Sequence, residues 1–176
     1  MKQNYNALIL KSVKITAGAI LAILFASCLN LKYSATAGII TILSIQNTKK
    51  ETIQTALARG EAFCCALLVS FLCYNFFGYT TAAFGIYLLI FTTLCLAMKW
   101  SSAIAMDSVL ITHFLAEKTM NIPMIANEIS LFLIGAGIGV LLNLSLRPKE
   151  NAWKDKMAEA DESIRSIIKR MAESRI

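Results

Sequence analysis

The sequence predicts an all-α integral membrane bundle of about six transmembrane helices, built as two inverted three-helix repeats, with a cytoplasmic amphipathic helix at the carboxyl end. Three observations carry that prediction: apolar composition, a lopsided placement of basic residues, and an internal self-similarity. Of 176 residues, 57% are hydrophobic and 16% charged, whereas a soluble domain is about a quarter charged. The mean hydropathy is +0.62. A bilayer core about 30 Å thick takes roughly 20 apolar residues per helix. Residues 1–147 therefore suffice for six crossings with short loops, and 148–176 remain for the cytoplasmic helix.

The apolar segments run over about 13–31, 34–45, 60–77, 81–98, 101–116 and 124–146, the second and fifth being short. Phe25-Ala26-Ser27-Cys28 looks like a weak lipoprotein cleavage box, but apolar sequence resumes at once, which speaks against a signal peptide. Thr48-x-x-Glu51 reads as a capping box that starts a cytoplasmic helical turn leading into the third segment. Gly78 and Thr80-Thr81 make the turn between segments three and four, and Pro123 suits the first turn of segment six.

Basic residues fix the expected orientation. With the amino end inside, only Lys32 and Lys118 of the 17 lysines and arginines fall outside, a strong positive-inside asymmetry. Both termini are thus expected in the cytoplasm, with the chain crossing a membrane. The net charge of +6 belongs to this pattern, so no nucleic-acid partner is expected; membrane lipids are.

An offset of 67 residues brings Gly18 onto Gly85, Leu21 onto Leu88, Cys28-Leu29 onto Cys95-Leu96, and Glu61 onto Glu128. Lys32-Tyr33-Ser34 likewise meets Lys99-Trp100-Ser101. The units would cover about 14–77 and 81–144. Each would hold three crossings, so the copies must be inverted, a recurring plan of secondary transporters with short helices in corresponding positions.

In the tail, Trp153, Met157, Ala160, Ile164, Ile167 and Met171 recur at heptad spacing on an otherwise charged helix. This fits a coiled coil or a helix lying on the membrane surface.

Ionisable groups inside apolar segments cost roughly 2.5–3.5 kcal/mol on insertion scales, which makes each a functional candidate. Asp107 sits near the middle of segment five, and its own helix offers only Leu110, Ile111 and Phe114 on the same face. A partner is expected on segments one, two or six, from groups such as Thr16, Thr41, Ser44 or Asn143. His113 shares a helix face with Glu117 and the two form a possible proton relay. Glu61 and Glu128 complete the proton-coupling candidates. Lys14 and Arg59, near the inner ends of segments one and three, are placed to gather anions. With Thr41, Ser44 and Asn143 they form the expected substrate path. Each of these groups also has a structural reading, as interfacial cap, packing anchor or topology signal.

Gly135-Ala136-Gly137-Ile138-Gly139 permits close helix approach. Cys28, Cys64, Cys65, Cys73 and Cys95 lie in apolar stretches without metal-ligand spacing, so no metal and no cofactor are expected. The chain carries no H-E-x-x-H, G-x-S-x-G or Walker loop, which leaves little for an enzyme.

The stretch from Ser34 to Glu51, SATAGIITILSIQNTKKE, resembles the second-helix signature of the bacterial aromatic acid exporter family. Similar too are Ile111-Thr112-His113-Phe114-Leu115-Ala116-Glu117-Lys118, Asn127-Glu128, Ile134-Gly135 and Leu142-Asn143-Leu144. The resemblance spans about Lys11 to Pro148. It implies a six-helix membrane domain of the fusaric-acid-resistance type, related to plant malate channels, and efflux of organic anions, aromatic ones among them. Many members carry a further cytoplasmic domain, whereas this sequence stops about 30 residues after segment six.

The expected function is export of an organic anion from the cytoplasm by a homo-oligomer, with proton coupling as one mode. The alternatives are a passive organic-anion channel, and a membrane-anchored scaffold or sensor acting through the carboxyl-terminal helix.

Overall fold

A computed structural model of the chain describes residues 5–46, 49–145, 157 and 160–167. Six helices run in order: α1 (Tyr5–Cys28), α2 (Ala35–Leu43), α3 (Lys49–Phe77), α4 (Thr81–Ala97), α5 (Ile104–Glu117) and α6 (Ile122–Ser145). Residues 160–167 are also helical, and no strand occurs among the described residues. Ile9–Cys28, Glu51–Phe77 and Ile122–Leu144 are long and apolar enough to cross a membrane; Thr81–Ala97 is a shorter apolar helix. At 9 residues α2 is only about 14 Å long, and at 14 residues α5 about 21 Å. Neither helix alone reaches across a 30 Å core.

Helix boundaries follow local chemistry. The third helix begins at Lys49, well before the apolar run at residue 60, because residues 49–59 contain good helix formers and no glycine or proline to stop them. The Thr80 hydroxyl caps α4 by accepting from the Ala83 amide, and Gly78 takes the left-handed φ of +67° that turns the chain between α3 and α4. Helices α1 and α4 end alike. Asn30 and Lys99 are left-handed, at φ +53° and +62°. The next amides, of Leu31 and Trp100, reach back to Ala26 and Cys95 carbonyls, closing both ends in Schellman fashion.

Packing divides the molecule into two three-helix groups. One combines α1, α2 and α6, and the other α3, α4 and α5, with α2 meeting α5 and α3 meeting α6 between them. The first depends on the small residues of α6. A Cβ on Gly135 would lie 2.6 Å from the Ala37 carbonyl oxygen, and one on Gly139 2.5 Å from the Ser44 Cβ. The backbone of α2 thus sits directly in the glycine groove. The Thr41 hydroxyl reinforces the contact, lying 3.0 Å from the Gly135 carbonyl. In the second group Tyr87, Phe91 and Cys95 of α4 pack on Ala62, Ala66 and Tyr74 of α3 and on Ile111 and Phe114 of α5.

Burial repeats along the chain, but at 69 residues, not the 67 chosen from residue identities. Arg59, Ala62, Phe63, Ala66, Ser70 and Tyr74 are buried in α3, and so are Glu128, Leu131, Phe132, Gly135, Gly139 and Asn143 in α6. Gly18, Ala22 and Ala26 correspond to Tyr87, Phe91 and Cys95, and Ala37, Gly38, Thr41 and Ser44 to Met106, Asp107, Leu110 and His113, all buried. At 67, exposed Glu61 would be matched with fully buried Glu128. Identities in apolar sequence come cheaply from composition, whereas burial follows the helix face, and the two intervals differ by two residues.

Thr48 of the expected capping box lies outside the described residues, as do Trp153 and Met171 of the tail seam. The seam residues Met157, Ile164 and Ile167 are exposed, and Asp161 and Arg165 pair along the helix at 3.5 Å.

Candidate functional site

Two polar clusters lie at opposite ends of α5, with a buried carboxylate close to the first. At the start of α5, Arg59 reaches from α3 into a junction between two connections. Its Nε donates to the Ser102 carbonyl at 3.2 Å, and its Nη1 to the Leu43 carbonyl at 2.9 Å and the Ser44 hydroxyl at 3.4 Å. The side chain is buried, yet no carboxylate lies within ion-pair distance of it among the described residues. The guanidinium is satisfied by neutral oxygens, which leaves most of its charge uncompensated.

Asp107 lies within electrostatic range of Arg59 but forms no ion pair with it. It occupies the first turn of α5, not the middle of the segment, because the helix starts only at Ile104. An acidic residue there is favoured by the helix dipole. Both carboxylate oxygens are buried without a hydrogen-bond partner, and the Tyr87 and Ser108 hydroxyls are buried beside each other. None of the groups expected on segments one, two or six makes a hydrogen bond to it among the described residues. Arg59 of α3 and Tyr87 and Cys95 of α4 share its electrostatic environment. The cause is packing, since α5 lies mainly against α3 and α4.

At the other end of α5, His113 Nδ1 lies 2.7 Å from Glu128 Oε2 of α6 and His113 Nε2 3.4 Å from the Thr36 hydroxyl. A proton on Nδ1 makes His113 the donor to Glu128 and leaves Nε2 to accept from Thr36. The ring stacks on Tyr33, centroids 4.0 Å apart and planes at 3°. The Asn127 amide donates to Glu128 Oε1 at 3.0 Å and to the Lys32 carbonyl at 3.2 Å. Lys32 Nζ pairs with Glu117 Oε2 at 2.7 Å, and the Tyr33 hydroxyl donates to Glu117 Oε1 at 3.2 Å. The bond to Glu117 raises the Lys32 ammonium above the ordinary lysine value.

The expected His113–Glu117 pair along one helix face therefore does not form. Each partner bonds across to another element, His113 to Glu128 and Glu117 to Lys32. Lys14 and Glu61 are exposed and join neither cluster, and Thr16 is exposed as well. Thr41 and Ser44 are buried at the α2–α6 contact, and Asn143 donates to the Thr52 hydroxyl in the first turn of α3. Sequence reasoning passed over Lys32, Tyr33, Thr36, Asn127, Tyr87 and Ser108 as site residues. A signal existed for the first two, in the recurring Lys-aromatic-Ser triplet; Tyr87 and Ser108 look like ordinary core positions. No group of three or more potential metal ligands clusters among the described residues.

The chain matches the family described as aromatic acid exporter family member 1 over residues 7–146. An uncharacterised Bacillus subtilis protein, YqjA, is 36% identical over 152 residues, covering 85% of this chain. The chain spans about half the length of that relative, 47%. No solved structure matches.

Proposed function

The chain belongs to the aromatic acid exporter family, and from that premise we propose that it exports organic anions, aromatic carboxylates among them, by a proton-coupled route through six crossings. The coarser statement, a membrane protein related to transport, follows from the family and the apolar helices. The observation that carries the finer reading is Arg59. A buried guanidinium held, among the described residues, by two backbone carbonyls and a hydroxyl offers a planar fork to a carboxylate. An anion arriving from the cytoplasm exchanges neutral acceptors for a charged one, which is the sign a binding site requires.

Two further features support the reading. The helix pairings exchange among themselves when α1, α2, α3 are swapped with α4, α5, α6, and burial recurs at 69 residues, as two inverted units would have it. Asp107, buried without a donor, needs a proton, a water or a cation as companion, which suits a coupling site. His113 with Glu128 is a second candidate for that role. The termini are then cytoplasmic, the membrane is the bacterial plasma membrane, and the working unit is a homo-oligomer. A passive channel is the reading to beat.

Flux of aromatic and aliphatic carboxylates from proteoliposomes, with and without an imposed pH gradient, tests this directly. Arg59→Ala should cut flux roughly 10- to 100-fold, as expected for losing charge-assisted hydrogen bonds. A folded Arg59→Ala protein that transports at the parent rate sinks the anion-site reading. Flux that stays strictly downhill in the anion whatever the pH gradient assigns a channel.

A further inference from the structure

We propose that Arg59 and Glu128 are a matched pair of latches, which tie the two short helices at opposite sides of the membrane and open in alternation during transport. The inference rests on the reading of the chain as two inverted units, and goes beyond it in assigning the gates.

Among the described residues the buried charged side chains are Arg59, Asp107 and Glu128, with His113 beside them. Arg59 and Glu128 stand 69 residues apart, the interval at which burial recurs. Their partners do too. Arg59 of α3 holds Ser44, just past the last residue of α2. Glu128 of α6 holds Ser44's counterpart, His113, in the last turns of α5. Each latch also reaches the connection that precedes the other unit's short helix. Arg59 donates to the Ser102 carbonyl ahead of α5, and Asn127, bonded to Glu128, donates to the Lys32 carbonyl ahead of α2.

The same two-part linkage is thus made twice, with a cation on one side and a carboxylate on the other. Apolar bias does not account for this, because buried charges are costly wherever they occur. Phe63 and Phe132, also 69 apart, stack on each other with centroids 5.0 Å apart and planes at 4°. A residue that touches its own counterpart lies where the two units meet. Each phenylalanine follows its latch by four residues, about one helical turn, so the latches flank the stacked pair.

Charge makes the latches asymmetric in use. Arg59 is loosened by a carboxylate that outbids carbonyl oxygens. Glu128 repels such an anion while its bond to His113 stands, and the stack of Tyr33 on His113 with the Lys32–Glu117 pair covers that end. With both latches formed, as here, the space between them is closed to both sides. Opening one while the other holds is what alternating access demands.

The test uses the full chain with its native cysteines replaced and one reporter, Leu110→Cys, at a fully buried position of α5 between the latches. Labelling by a membrane-impermeant maleimide is measured from either side of oriented vesicles. Arg59→Gln should raise the labelling rate roughly tenfold from the cytoplasmic side only, and Glu128→Gln by a similar factor from the outer side only. Ser44→Ala and His113→Gln cut the same latches from their other partners, and serve if either first variant fails to fold. Lys99→Cys and Lys118→Cys, in separate variants, report topology. If they label from the same side, the inverted reading falls and the latches with it. If they label from opposite sides but neither latch variant gives one-sided labelling at position 110, the latch assignment alone is overturned.

Discussion

At the scale of single residues, cost identifies the sites better than pattern does. A charged or hydrogen-bonding group withdrawn from water must recover its solvation elsewhere. Arg59 does so on carbonyls, Glu128 on His113 and Asn127, whereas the Asp107 carboxylate has no hydrogen bond among the described residues. The sequence allowed Asp107 to be singled out, because its helix offers no partner. It did not allow the neighbours to be named, since which helices pack on α5 is a tertiary fact. Asp107→Asn should fold and insert, and should be at least as stable as the parent, because a neutral amide never meets the cost of a bare buried charge. Under the proton-coupled reading the same variant keeps downhill anion flux and loses stimulation by a pH gradient. Thermal unfolding in detergent and gradient-driven flux check the two halves. A variant that still responds fully to the gradient removes Asp107 from coupling and leaves His113 with Glu128 as the remaining site.

At the scale of elements, the positions of the helices were legible from hydropathy and turn residues, and the short second and fifth segments stood out. The ends were less legible. Hydropathy alone does not mark where a helix starts in the polar interface, so α3 begins eleven residues before its apolar run and α5 begins late enough to put Asp107 in its first turn. The glycines of α6 were read as a packing surface, and the partner is α2. Their roles are separable. Gly135→Ala drives a Cβ into the Ala37 carbonyl and Ile40, while nothing lies within 4 Å of a Cβ on Gly137. Gly135→Ala should therefore cost about 1–3 kcal/mol, the usual range for overpacking, with further loss of flux if the α2–α6 contact moves. Gly137→Ala should be neutral or slightly stabilising, through the better helix propensity of alanine. Equal effects of the two substitutions on unfolding would mean that α2 does not occupy the groove.

At the scale of the whole molecule, an all-helical membrane protein was evident in composition, but the way its helices interlock was not. Two tandem three-helix units suggest two self-contained bundles. Instead α6 joins α1 and α2, and α3 joins α4 and α5, so the third and the sixth helix each pack mainly with helices from the other half of the chain. Sequence identity at a fixed offset carries no information about such an exchange. The interlock makes a prediction about oligomers. If α3 and α6 of one chain meet at Phe63 and Phe132, cysteines placed at those two positions, with the native cysteines replaced, should be bridged by a short bis-methanethiosulfonate within a single polypeptide. The product should run as a monomer on a denaturing gel, at protein concentrations that leave oligomer contacts intact or dissolve them alike. A product of twice the mass, lost on dilution, would mean that the third helices are exchanged between protomers. The two-unit core would then be a property of the oligomer instead of the chain.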